Sequence, residues 1–190
     1  MHKIIKSAPP PVYQGYAQSP QLHFYFYEDI GDPVDYCELI HTLDHAGEGE
    51  TIALHFATDG GAMESAIVIL HAIMRTKAHV VGYADGGVAS AGTIIFLACH
   101  EHIVEPFAHF LFHDGTQGNS GMKFNESVKQ ANATSALYAS LAYSVYGQFF
   151  DNEEIERILE GVDCYLTSDE MRRRIEKAID DQLHEVETEI

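Results

Sequence analysis

Residues 79–99 read HVVGYADGGVASAGTIIFLAC, and this stretch decides the fold. His79-Val80-Val81-Gly82-Tyr83 has the length and β-branched content of a buried strand. The pair Gly86-Gly87 then opens a helix that runs to about Cys99. Working outward, the same unit recurs upstream. Thr51–Phe56 is a strand, Gly60-Gly61 punctuates it, and a helix follows whose apolar set, Met63, Ala66, Ile67, Leu70, Ile73 and Met74, keeps helical period. Before it, Leu22–Tyr27 is a strand, and Asp32-Pro33 starts a helix that Gly47 stops after Ala46, with Asp at the N-cap and Pro in the first turn. Downstream, His102-Ile103-Val104 and His109-Phe110-Leu111-Phe112 are two further strands. Strands alternating with helices at this spacing are crossover units, so the fold class is α/β with a largely parallel sheet. Sites in such sheets form beyond the carboxyl ends of the strands, and the glycine pairs mark those ends.

The rest of the chain frames this centre. Its 190 residues suit one domain with an appendage, and 46% apolar content supplies a full core. Residues 1–20, with Pro9-Pro10-Pro11, form an extended arm; residues 21–180 form the domain; residues 181–190 are a solvated acidic tail. No run of about 18 apolar residues spans a membrane, and no apolar stretch before the prolines resembles a secretory signal. Three cysteines without close pairing fit reduced thiols and a soluble, cytoplasmic protein. A net charge of -18 repels phosphate backbones and excludes nucleic acid as a first partner. Asn125–Phe150, rich in alanine, predicts a long helix that projects from the body as an arm for a partner subunit. Thr167-Ser168-Asp169-Glu170 is a capping box that starts a last helix.

Three motifs carry chemistry. Gly87-Val88-Ala89-Ser90-Ala91-Gly92 puts a serine between small residues at a strand-to-helix junction, where a carbonyl can approach and backbone N–H groups point outward. The alternative is a plain N-cap serine before a tightly packed helix. It is not the G-x-S-x-G elbow of the α/β-hydrolases. Phe110-Leu111-Phe112-His113-Asp114-Gly115 ends an apolar strand on a histidine, a rigid mounting for a general base. Gly60-Gly61, after Asp59, lets backbone N–H groups come close to a ligand oxygen.

Together with Asp163-Cys164-Tyr165-Leu166-Thr167, these motifs resemble, in order and spacing, the Clp protease proteolytic subunit family, ClpP, over about Leu22 to Ala178. The resemblance implies a crotonase-like spiral of βα units with a projecting handle at about 114–150, in which Gly118 and Gly121 precede the long helix. It implies Ser90 as nucleophile, His113 as base and Asp163 as the acid that orients the imidazole, with the N–H groups of Gly61 and Ala91 as the oxyanion hole and no cofactor. Residue types alone leave Asp59 and Asp85 open for the acid's role. The implied activity is that of a serine endopeptidase acting on peptides or unfolded proteins inside stacked heptameric rings, with an unfolding ATPase as partner. The chain departs from the family pattern at Asp59, where proline is usual, at Ala91, where methionine is frequent, in the first 20 residues, and at Met171–Ile190 with its Arg172-Arg173-Arg174 run.

Three other readings compete. A crotonase-class acyl-CoA enzyme shares the paired backbone amides but has no use for a serine and a histidine together. A non-catalytic assembly protein keeps the fold alone. A metal protein could draw on His41 and His45 or on His100 and His102, but no third ligand accompanies either pair in the sequence.

Overall fold

The structure, a computed structural model, describes residues 21–115 and 124–188. The expected arm at 1–20 and the glycines Gly118 and Gly121 lie outside these residues. Six strands form one sheet: β1 (Gln21–Phe26), β2 (Thr51–Thr58), β3 (His79–Ala89), β4 (Glu101–Val104), β5 (His109–Phe112) and β6 (Cys164–Thr167). The order is β1-β2-β3-β5-β6, with β4 also paired to β3. Every pairing is parallel except β5 with β6, which is antiparallel. The helices are α1 (Cys37–His45), α2 (Met63–Arg75), α3 (Ala91–Leu97), α4 (Phe124–Tyr146), α5 (Asn152–Leu159) and α6 (Ser168–Thr188).

β3 is the hinge of this arrangement. Its first half pairs with β4 over Val81–Ala84, and its second half pairs with β5 over Gly87–Ala89. Gly86-Gly87 therefore does not open a helix. The second partner keeps the chain extended as far as Ala89, and α3 starts only at Ala91. Gly87 is there for close approach: a Cβ on it would lie 2.8 Å from Nε2 of the His109 ring. α3 is short but buried over its whole length, so it forms the centre of the core and not a surface layer.

Two other expectations shift in detail. Asp32 makes no side-chain cap, and Pro33–Tyr36 is a 3₁₀ turn that leads into α1. On α2 the helical period holds, but the buried stripe is Ser65, Ala66, Ile69, Ala72 and Ile73, and Met74 is exposed. A helix this apolar offers overlapping stripes, and packing against α1 and α3 selects one of them.

The carboxyl-terminal half closes over β5 and β6. Phe110, Phe112, Tyr146 and Phe150 are buried in stacked, edge and tilted ring contacts, each side chain worth about 1.5–3 kcal/mol of burial. α5 begins with a reciprocal cap between Asp151 and Glu154. Arg174 of α6 grips both Glu154 oxygens at 2.6 and 2.8 Å and lies 4.4 Å from the Phe150 ring centre. Arg172 donates to the Val104 carbonyl. Two of the three consecutive arginines thus tie α6 to the body. The capping box at α6 forms, with Thr167 and Glu170 bonded in both directions.

α4 is the expected long helix, but only half of it is an arm. Leu137 is 53% exposed, whereas Val145, Tyr146, Phe149 and Phe150 are all buried against the body. The expectation of a helix that projects from the body through Phe150 is therefore corrected for these last four residues. They belong to the chain's own core, and the exposed portion lies further toward the start of the helix.

Candidate active site

Three strand ends meet at one edge of the sheet. β2 ends in Thr58, whose hydroxyl donates to the Glu28 carbonyl at 2.8 Å and accepts from the Gly60 N–H at 3.2 Å. Beyond it, Ile30 N–H donates to Gly60 O at 2.7 Å and Ala62 N–H donates to Ile30 O at 2.8 Å. In a parallel bridge of this kind the residue between those two bonds, Gly61, directs its own N–H away from the bridge. Both glycines have positive φ, 99° and 144°. A Cβ on Gly61 would collide with the Ile30 carbonyl, and one on Gly60 would lie 2.6 Å from Ser90 Cβ and 3.1 Å from Ala91 N. Gly60 is therefore pressed directly against the Ser90-Ala91 turn, and Gly61, the next residue, is pressed against Ile30.

Ser90 links β3 to α3 with φ 53° and ψ -124°, a conformation that L-residues rarely adopt. It stands at the N-cap position of α3, but its side chain makes no capping bond. The elbow-like strain is present although the G-x-S-x-G sequence is not. What fixes the strain is backbone bonding. Ser90 N–H donates to Leu111 O at 3.0 Å, while Thr93 N–H and hydroxyl both donate to Ser90 O, at 2.9 and 2.7 Å. Strain held by so many bonds marks functional turns in general.

His113 follows β5 directly, and Asp163 directly precedes β6. The last antiparallel pair is Phe112 with Cys164, so the register carries His113 and Asp163 to opposite positions just beyond the ladder. Ser90 sits beside them because Ala89 pairs with Leu111. The expected nucleophile, base and acid thus converge on the ends of three adjacent strands. They are not hydrogen-bonded to one another: among the described residues no hydrogen bond joins Ser90 Oγ to His113 or His113 to Asp163. His113 Nδ1 instead lies 2.6 Å from the Asp114 carbonyl. A carbonyl only accepts, so Nδ1 carries a proton, and in the neutral ring that tautomer leaves the lone pair on Nε2. Asp163 is exposed, and Tyr165 OH approaches it at 3.5 Å.

The other candidates part company with this site. Asp85 accepts from Tyr27 OH at 2.6 Å and bonds His55 Nδ1 at 2.8 Å, and His55 in turn meets His23 at 3.0 Å. That chain of side chains commits Asp85 to Tyr27 and His55. Burial and the neighbouring His55 lower the pKa of His23. Asp59 is exposed beside Gly60. His100 Nδ1 accepts from Val80 N–H, and burial lowers the pKa of His102 to about 4. The His41 and His45 ring centres lie 4.0 Å apart on α1, tilted by 36°. Among the described residues no three His, Cys, Asp or Glu side chains are grouped to hold a metal ion, and no helix is long and apolar enough to cross a membrane.

Sequence reasoning missed the tyrosines of α4. Tyr138 OH donates to the His113 carbonyl at 2.5 Å, and Tyr146 OH lies 2.9 Å from Thr93 Oγ1. The Thr93 proton is already given to Ser90 O, so Tyr146 is the donor. Burial raises the pKa of both phenols, that of Tyr146 to about 12. A tyrosine in an alanine-rich helix gives no sign in the sequence of where its hydroxyl ends.

The chain is similar in structure to a ClpP1 variant from Listeria monocytogenes, with a TM-score of 0.66 and 20% identity over 80% of this chain and 86% of that one. No curated protein matches it. The Clp protease family model matches residues 26–173, which include Gly61, Ser90, Ala91, His113 and Asp163. The α/β sheet with its buried α3 is the ClpP fold, and the chain belongs to the Clp protease family.

Proposed function

We propose that this protein is a serine endopeptidase that cleaves peptides or unfolded proteins through an acyl-enzyme. The observation that carries the reading is Ser90 itself: a serine at φ 53°, its hydroxyl uncommitted, backed by a glycine pair. His113 Nε2 takes the Ser90 proton as Oγ attacks the carbonyl, and the N–H groups of Gly61 and Ala91 hold the oxyanion. His113 then gives that proton to the leaving amine, and water repeats the sequence to free Ser90. Asp163 is the acid that holds the imidazolium once the ring turns from the Asp114 carbonyl towards it. We further propose a homo-oligomer of stacked heptameric rings in the cytoplasm, with the exposed part of α4 as the handle between rings and an unfolding ATPase feeding the chamber.

A second reading is a non-catalytic assembly protein. It is favoured by the bond from His113 Nδ1 to the Asp114 carbonyl in place of Asp163. A crotonase-class acyl-CoA enzyme is a third. Incubating the purified protein separately with an unfolded protein and with acyl-CoA thioesters separates all three. Peptide products that disappear in Ser90→Ala support the proposal. Thioester turnover that survives in Ser90→Ala, or no turnover of either substrate, overturns it.

A further inference from the structure

One helix holds both halves of the candidate site by hydroxyl groups alone. Tyr146 donates to Thr93, and Thr93 donates to the carbonyl of Ser90 at 2.7 Å. Two turns earlier on the same helix, Tyr138 donates to the carbonyl of His113. The two phenols also lie close enough for each to alter the other's ionisation. Thr93 and Tyr146 are fully buried and Tyr138 nearly so. Buried hydroxyls that serve only packing are common as phenylalanine, which removes the cost of placing a polar group in the core. Here each hydroxyl ends, directly or through one relay, on the carbonyl of a residue that the proposed chemistry uses.

From this we infer that Thr93, Tyr138 and Tyr146 are positioning residues, through which the seating of α4 sets the separation of Ser90 from His113. The inference rests on the serine peptidase reading. Its physical basis is that the strained Ser90 turn has few bonds to spare. Among the described residues the Ser90 carbonyl accepts from Thr93 alone, by N–H and hydroxyl. The His113 carbonyl lies beyond the last ladder pair of β5 and accepts from Tyr138. Without the two phenols, the strand ends that carry nucleophile and base would be joined through the ladder alone. Reaction rates respond steeply to misplacement of this kind, where about 1 Å costs up to about a hundredfold. The exposed part of α4 is the segment proposed as the handle, so a contact that shifts this helix would reach Ser90 and His113 together.

The test uses the full-length protein as Tyr138→Phe, Tyr146→Phe, Thr93→Val and Thr93→Ser. Two measurements accompany melting temperature: peptide turnover resolved into kcat and KM, and the NMR signal of the His113 ring in protein carrying labelled histidine. The inference predicts that the two phenylalanine variants and Thr93→Val lose about tenfold to a hundredfold in kcat. Their KM changes by less than about twofold, as expected when an interaction acts on the transition state alone. Thr93→Ser, which keeps the hydroxyl, restores most of the rate. The His113 signal moves in Tyr138→Phe whether or not the protein cleaves peptides, so failure of the peptidase reading is told apart from failure of this one. An unmoved His113 signal in Tyr138→Phe overturns the inference. So does a loss of melting temperature at unchanged kcat, which a purely structural role would give.

Discussion

The two halves of the candidate site are built to different standards. The nucleophile half is locked. Ser90 is wedged against Gly60, bonded through N–H to β5 and through its carbonyl to α3. The acid–base half is only aligned. His113 and Asp163 face each other by strand register, yet the histidine bonds its neighbour's carbonyl and the aspartate lies in solvent. The nucleophile's geometry comes from packing within one chain, which backbone sterics enforce. The base and acid sit on the β5–β6 margin, which α4 meets through Tyr138 on the His113 carbonyl and Tyr146 on the Phe112 ring. On the proposed reading, a single subunit preforms its serine and oxyanion donors, and the last rotation of His113 depends on what seats α4.

That contrast can be broken by mutation. The largest effect is expected for His113→Ala, which removes the proposed base and should reduce peptide turnover by at least about a thousandfold with little change in melting temperature. Asp163→Asn should cost less than the roughly ten-thousandfold loss of a closed triad, because the Asp114 carbonyl already fixes the His113 tautomer. Equal losses for the two variants would show that the triad is closed in solution. Gly60→Ala should destabilise the protein by about 3 kcal/mol or more, since its Cβ meets Ser90 Cβ at 2.6 Å at a φ of +99°. Chemical denaturation reads this directly, and a loss under about 1 kcal/mol would mean that the nucleophile half is not locked.

The two ends of α4 sharpen the point. Val145→Asp buries a charge and should unfold the subunit, costing about 3–5 kcal/mol. Leu137→Asp, at a 53% exposed position, should leave each subunit folded and split the proposed double ring, seen by native mass spectrometry. The smallest effect concerns the seam between the halves, where His102 lies edge-on to Phe96 of α3 and Phe149 beyond α4, its Nε2 without a partner. Burial lowers its pKa to about 4, so the unfolded chain takes up its proton first as pH falls. Stability should be intact above about pH 6.5 and fall by up to about 3 kcal/mol towards pH 4. His102→Leu should remove that part of the acid sensitivity, as measured by melting temperature from pH 7 to pH 4.

The difference between the halves also describes how much the sequence disclosed. The strands and helices up to Val104 were legible because apolar runs between glycine pairs state their own period. The glycine pair at 86–87 misled, since a glycine that admits a neighbouring ring and a glycine that makes a turn are the same letter. Ser90 was legible as a small-residue junction, but its strain was not, because φ there is set by Gly60 and Leu111, distant in sequence. The choice of Asp163 over Asp85 rested on resemblance alone; in the structure Asp85 is spoken for by Tyr27 and His55, a pairing across three strands that no local pattern shows. The α4 tyrosines were invisible for the same reason.

The central claim is that Ser90 is a live nucleophile activated by His113. Labelling with a fluorophosphonate, followed by peptide mapping in the mass spectrometer, tests it most directly. The account predicts one phosphonate adduct per chain, on Ser90, absent in Ser90→Ala and slowed by orders of magnitude in His113→Ala. An unlabelled Ser90 in the assembled protein, or labelling that ignores the loss of His113, would contradict it.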